Sequence, residues 1–113
     1  MGKEYKIKWA SPARSDINEI IEYIALTNEV YAVKVLDKIE KNVEKLKTSP
    51  THYRIVPELE KYGYLIYREI IVDYWRVIYK TENNLVYIML VIDGRRNLED
   101  ILLKAILLRE REI

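Results

Sequence analysis

Arg76, Arg95 and Arg96 are the cations, and Glu69 the carboxylate, whose types and spacing point to chemistry in this chain. A guanidinium stays charged at any physiological pH and grips oxyanions through forked N–H pairs. A carboxylate beside such groups can serve as a general base. The plainer role open to Arg76 is a cross-strand ion pair with Glu69 or Asp73. The plainer role open to Arg95 and Arg96 is likewise to satisfy neighbouring carboxylates. His52 is the only histidine and cysteine is absent, so a metal site would need carboxylates alone beside it; no metal and no cofactor are expected.

The elements that must position these groups follow from periodicity. Tyr5, Ile7 and Trp9 alternate with charged residues as in a half-buried strand. Ser11-Pro12 reads as N-cap and first helical residue. Ile17, Ile20, Ile21 and Ile24 form one helical stripe, which Leu26-Thr27-Asn28 ends. Ala32, Leu36, Ile39, Val43 and Leu46 mark a second helix from about Glu29, closed by Pro50, and the short connection implies a helical hairpin. Residues 51–63 lack periodicity and read as a loop holding at most a short irregular strand. Three β-rich runs follow, Tyr64 to Val72, Trp75 to Thr81 and Leu85 to Ile92, separated by Asp73-Tyr74 and Asn83-Asn84. Asn97 is expected to cap a last helix, with Glu99 and Asp100 in its first turn and Lys104, Arg109 and Arg111 beyond. The expected fold is one α+β domain over residues 1–113, β-α-α-β-β-β-α, a mainly antiparallel sheet packed on the helical hairpin.

Two-residue turns would pair Val72 with Trp75 and Glu82 with Leu85, which sorts the side chains onto two faces. Ile66, Ile70, Val72, Trp75, Val77, Tyr79, Val86, Ile88, Leu90 and Ile92 make an apolar face for the hairpin to cover. Tyr67, Glu69, Ile71, Arg76, Ile78, Lys80, Tyr87, Met89 and Val91 make a mixed face, expected to be open to solvent, a ligand or the last helix. Burying Arg76 unpaired would cost several kcal/mol. Arg76, Arg95 and Arg96 should then meet at one corner of the open face, with Tyr67 and Lys80 on the same surface as target-binding groups. Alanine at Arg76 and Arg96 together should spare the fold. A three-residue turn at 72–74 would instead set Arg68 beside Arg76.

The last helix is apolar almost all round. Leu98, Ile101, Leu102, Ala105 and Leu108 are expected to meet a partner helix or a second copy of the chain, because a lone surface helix needs only one apolar stripe.

Bulk composition narrows the class. The formal net charge is +1, so any nucleic-acid contact must come from a local cluster and not from a general field. The start of the chain is charged where a secretory signal would be apolar, and no apolar stretch approaches the ~20 residues of a membrane span. A cytoplasmic location without membrane contact is expected.

The run Tyr67-Arg68-Glu69-Ile70-Ile71-Val72-Asp73-Tyr74-Trp75-Arg76-Val77-Ile78-Tyr79, then Val91-Ile92-Asp93-Gly94-Arg95-Arg96-Asn97, resembles the RelE/ParE toxins and their ParE branch most. Trp9-Ala10-Ser11-Pro12-Ala13 with Asp16-Ile17 and Ile24 agrees, so the resemblance spans about residues 5–100. It implies the toxin of a type II toxin–antitoxin module of plasmid-stabilisation type, silenced by a cognate antitoxin. ParE-like members poison DNA gyrase, whereas RelE-like members cut messenger RNA on the ribosome without metal. For cleavage, Arg76 and Arg96 would match the nuclease arginines and Glu69 could act as base. Yet Tyr67, Glu69 and Leu102 stand where nucleases carry lysines and a tyrosine, and Asp93 replaces the ParE-type histidine. Gyrase is the leading target expected, messenger-RNA cleavage the second, and a non-toxic pairing module the third.

Overall fold

In a computed structural model, residues 4–110 are described; Arg111 and the first three residues lie outside them. The element order is β1 (Lys6–Trp9), α1 (Ser11–Ala25), α2 (Glu29–Glu44), α3 (Pro57–Glu60), β2 (Tyr67–Val72), β3 (Trp75–Glu82), β4 (Leu85–Asp93) and α4 (Glu99–Arg109). The sheet runs β1-β4-β3-β2. β2–β3 and β3–β4 are antiparallel hairpins, while β1 lies parallel to β4. The fold is thus α+β, as expected, with one parallel pair at its margin.

Both hairpins close through two residues, pairing Val72 with Trp75 and Glu82 with Leu85. Asp73 and Asn83 carry the left-handed backbone, each at φ 56°. Asp and Asn take that conformation more readily than other non-glycine residues, which is why these turns can be so tight. The helix starts differ from expectation. Ala10, not Ser11, is the N-cap of α1, so Pro12 sits in its first turn one position later. Leu98, in a helical conformation, precedes α4, and no Asn97 side-chain cap forms. Only Asn28 caps as its type suggests, its side-chain oxygen accepting from the Tyr31 amide at 2.9 Å.

Ala13 and Ile17 of α1 and Val35, Ile39 and Val43 of α2 bury against Ile70, Val72, Trp75, Val77, Tyr79, Val86, Ile88 and Val91. On the other face Leu98, Leu102 and Ile106, with Val56 and Leu59 around α3, bury against Tyr67, Ile78, Met89, Leu90 and Ile92. The mixed face is therefore covered by the last helix and α3, and it is not an open surface.

The face assignment needs one correction. Ile78 pairs with Leu90 but Tyr79 pairs with Ile88, so Met89 is an extra residue in β4. This bulge reverses the alternation beyond it. Leu90 and Ile92 turn towards α4 and Val91 turns towards the hairpin, opposite to the arrangement that uninterrupted pairing implies. Ile66 precedes β2 and is exposed.

Candidate arginine corner

Arg76 leaves the mixed face near the start of β3 and does not reach open solvent. Its Nε donates to Glu69 at 2.5 Å, and its two Nη groups donate to the two oxygens of Glu58 at 2.7 Å each. Glu69 takes a second donor, Arg54 Nε, at 2.6 Å. The Glu69 side chain is 0% exposed and that of Arg76 only 8%. A buried pair is tolerable only when its remaining donors and acceptors are also satisfied. Here Glu58 and Arg54 complete the network, and no buried side-chain polar atom among the described residues lacks a partner. The Glu58 hydrogen bonds raise the Arg76 pKa despite burial, and the same bonds hold the Glu58 carboxyl below its ordinary range.

The turn after β4 brings the other arginines near. Gly94 donates its amide to the Tyr74 carbonyl at 2.7 Å, and the Arg76 stem lies against it. A Cβ there would stand 2.9 Å from both Arg76 Cδ and the Tyr74 carbonyl oxygen. The backbone oxygen cannot yield cheaply. Gly94→Ala is therefore expected to cost about 1–3 kcal/mol, the range for overpacking, as a lowered midpoint in urea denaturation; an unchanged midpoint would contradict the close approach.

Arg95 folds back, donating Nε and Nη2 to Asp93 at 3.0 and 2.8 Å while its guanidinium lies 3.8 Å from the Tyr74 ring centroid. Those hydrogen bonds lower the Asp93 pKa. Arg96 diverges. It is exposed, makes no salt bridge among the described residues, and lines a separate groove of about 270 Å³ between α1 and α4. Arg76 and Arg95 thus share a cleft, and Arg96 looks onto the next one.

Tyr67 and Lys80, expected at a target surface, are both buried and hold α4 instead. The Tyr67 hydroxyl donates to Glu110 at 2.6 Å, and Lys80 Nζ donates to it at 2.9 Å. Burial opposes ionisation of Glu110, but these two donors outweigh it and hold its pKa below the usual value. Of the residues expected to meet a partner, Leu98 and Leu102 are buried within the chain, Ile101 and Ala105 are half-buried, and Leu108 is exposed. Four residues of the site were given no role in it by the sequence reasoning. Glu58 and Arg54 lie in the aperiodic segment before β2. Asp16 caps the Val91 amide at 3.0 Å, beyond the reach of β1, and binds Arg109 of α4, which also donates to the Met89 carbonyl at 3.0 Å. Contacts between residues 93 positions apart have no local signature.

The architecture is a sheet with a helical hairpin on one face and a shorter helix on the other. A chain described as "Chromosomal ParDE TA system from P. aeruginosa" superposes with a TM-score of 0.66 at 16% identity, covering 80% of this chain and 97% of that one. The family model described as "ParE toxin of type II toxin-antitoxin system, parDE" matches residues 7–98, and the chain belongs to that family. No curated protein sequence matches it. Among the described residues, no helix is long and apolar enough to cross a membrane.

Proposed function

We propose that this ParE-family toxin arrests growth by binding DNA gyrase through the exposed Arg95 and Arg96 at the strand end beside Arg76, and that a cognate antitoxin silences it. The observation that carries the target-blocking reading is the state of Glu69. A general base must reach the proton it removes, and this carboxylate is fully buried between Arg54 and Arg76. The would-be nuclease trio is also divided, because Arg76 is locked beneath α3 and Arg96 faces another groove. Exposed arginines held at a rigid strand end suit recognition of a large partner better than metal-free RNA cleavage. For the antitoxin, the surface left by the monomer is the Ile101, Ala105 and Leu108 stripe, beside the groove lined by Ile20, Val91 and Arg96.

Because Arg76 is structural as well as cationic, the informative variants are the exposed pair. Arg95→Ala with Arg96→Ala is expected to relieve growth arrest on induction by at least ~10-fold in surviving colonies, about 1.4 kcal/mol of target affinity, with an unchanged melting temperature. Full toxicity in that folded variant would remove the site assignment. DNA breakage with intact messenger RNA supports gyrase; messenger-RNA cleavage would replace it with the ribosome, and no arrest at all would make the chain a pairing module. Rescue by the protein encoded beside it would support the antitoxin.

A further inference from the structure

The cleft shared by Arg76 and Arg95 contains a third guanidinium, Arg54, which no motif singled out. It measures about 220 Å³ and is completed by Ile71, Tyr74 and Gly94. Its donors are only partly used. Arg54 commits Nε to Glu69, and Arg95 commits Nε and Nη2 to Asp93 and lies against Tyr74; the Nη groups of Arg54 make no side-chain hydrogen bond among the described residues. The Nη groups of Arg76 are filled by a carboxylate of the chain itself, that of Glu58, whose side chain is 27% exposed and lies outside the residues that line the cleft.

We infer that this cleft is a binding site for carboxylates of an acidic protein segment, and that Glu58 is the resident occupant of its Arg76 fork, turned out when such a segment docks. The chemistry already present sets the preference. The acceptors gripped around the cleft are the planar carboxylates of Glu58, Glu69 and Asp93, whose oxygen pairs match guanidinium forks. A nucleic-acid strand would need a row of uncompensated cations along its backbone. Here each guanidinium already shares its charge with an acid, so local donors are on offer and a long-range field is not. The cleft has room for acidic side chains, and Ile71, 48% exposed, offers them an apolar wall.

Vacating the site costs little structure. Val56 and Leu59, both fully buried, anchor α3 on either side of Glu58. Rotation of one side chain is enough, and Arg76 keeps Glu69 throughout.

The site borrows its location from the target-binding corner proposed above, but its test reads binding directly, so either can fail alone. The probe is the capped peptide acetyl-Glu-Ile-Glu-Glu-amide, titrated while arginine Nε–H and backbone amide signals are followed by NMR, with a short oligothymidylate at matched ionic strength as the second arm. Glu58→Gln removes the competing charge at nearly constant volume and is expected to bind the peptide roughly tenfold tighter than the parent chain. Glu58→Asp, too short to span both Nη groups, should shift affinity in the same direction, and melting curves establish that each variant is folded. Arg54→Ala and Arg95→Ala should each weaken binding about fivefold or more, and perturbed signals should cluster at 54–58, 71–76 and 94–95. Unimproved affinity in both folded Glu58 variants, perturbations elsewhere, or tighter binding of the oligonucleotide would overturn the inference.

Discussion

Arg76→Ala is expected to destabilise the protein by about 3–5 kcal/mol, the usual cost of removing one partner from a buried ion pair. The loss comes from Glu69 more than from the arginine itself. With its side chain 0% exposed, Glu69 would keep Arg54 as its only charged partner, and that arginine is half in water. Glu58, at the rim, returns to solvent and contributes less. Since a domain of this size has only about 5–15 kcal/mol of stability, the loss removes a large fraction of it. Chemical denaturation of the variant measures this, and a change under ~1 kcal/mol would mean that the network behaves as a surface pair. Replacing Arg76 and Glu69 together by apolar residues of similar size should recover most of the loss, because the charges left behind, Arg54 and Glu58, both reach solvent. The expectation that Arg76→Ala and Arg96→Ala together would spare the fold is corrected on the same grounds. Any loss of toxicity in such a double variant would confuse unfolding with a missing contact.

A second large effect is expected in α4. Leu102→Ala should cost about 2–5 kcal/mol, the range for a fully buried leucine, because Leu102 is sealed among Ile78, Met89, Leu90 and Ile106. Leu108→Ala, six positions on and 60% exposed, should stay within about 0.5 kcal/mol. The contrast is measured by the same denaturation series. Equal and small effects at both positions would show that α4 is not docked on the sheet in solution. The expectation that Leu98 and Leu102 meet another chain is replaced by an internal contact, while Ile101, Ala105 and Leu108 stay available to one.

The fold was largely legible because its signals are local. Asp73 and Asn83 mark the turns, Ile17 to Ile24 and Ala32 to Leu46 mark the hairpin, and the pairings of Val72 with Trp75 and Glu82 with Leu85 follow from turn length. The faces of β4 were not legible beyond Met89. From Leu85 to Ile92 the strand is apolar at every position, since the sheet is covered on both sides, so alternation carries no mark of an inserted residue. The site was half legible. Arg76 and Arg95 converge because hairpin register and the Gly94 turn are encoded nearby. Glu58 and Arg54 come from a segment whose only periodicity is the spacing of Val56 and Leu59, and an anchor of two residues is too short to read. Lys80 and Tyr67 were placed on the correct face, but their partner, Glu110, lies 30 and 43 positions away. A buried lysine and a lysine awaiting a target look alike until its counter-ion is located.

The position of α4 in the chain has a consequence for folding. The four strands and the helical hairpin all precede it, so the sheet can pair while one side still lacks a cover. Until residues 98–110 dock, Ile78, Met89, Leu90 and Ile92 are wet, and Lys80 has no carboxylate but the distant one of Glu82, at 3.8 Å. An undocked α4 therefore leaves a greasier and more cationic surface than the finished fold. Whatever meets the chain before α4 docks encounters a surface that the mature fold conceals.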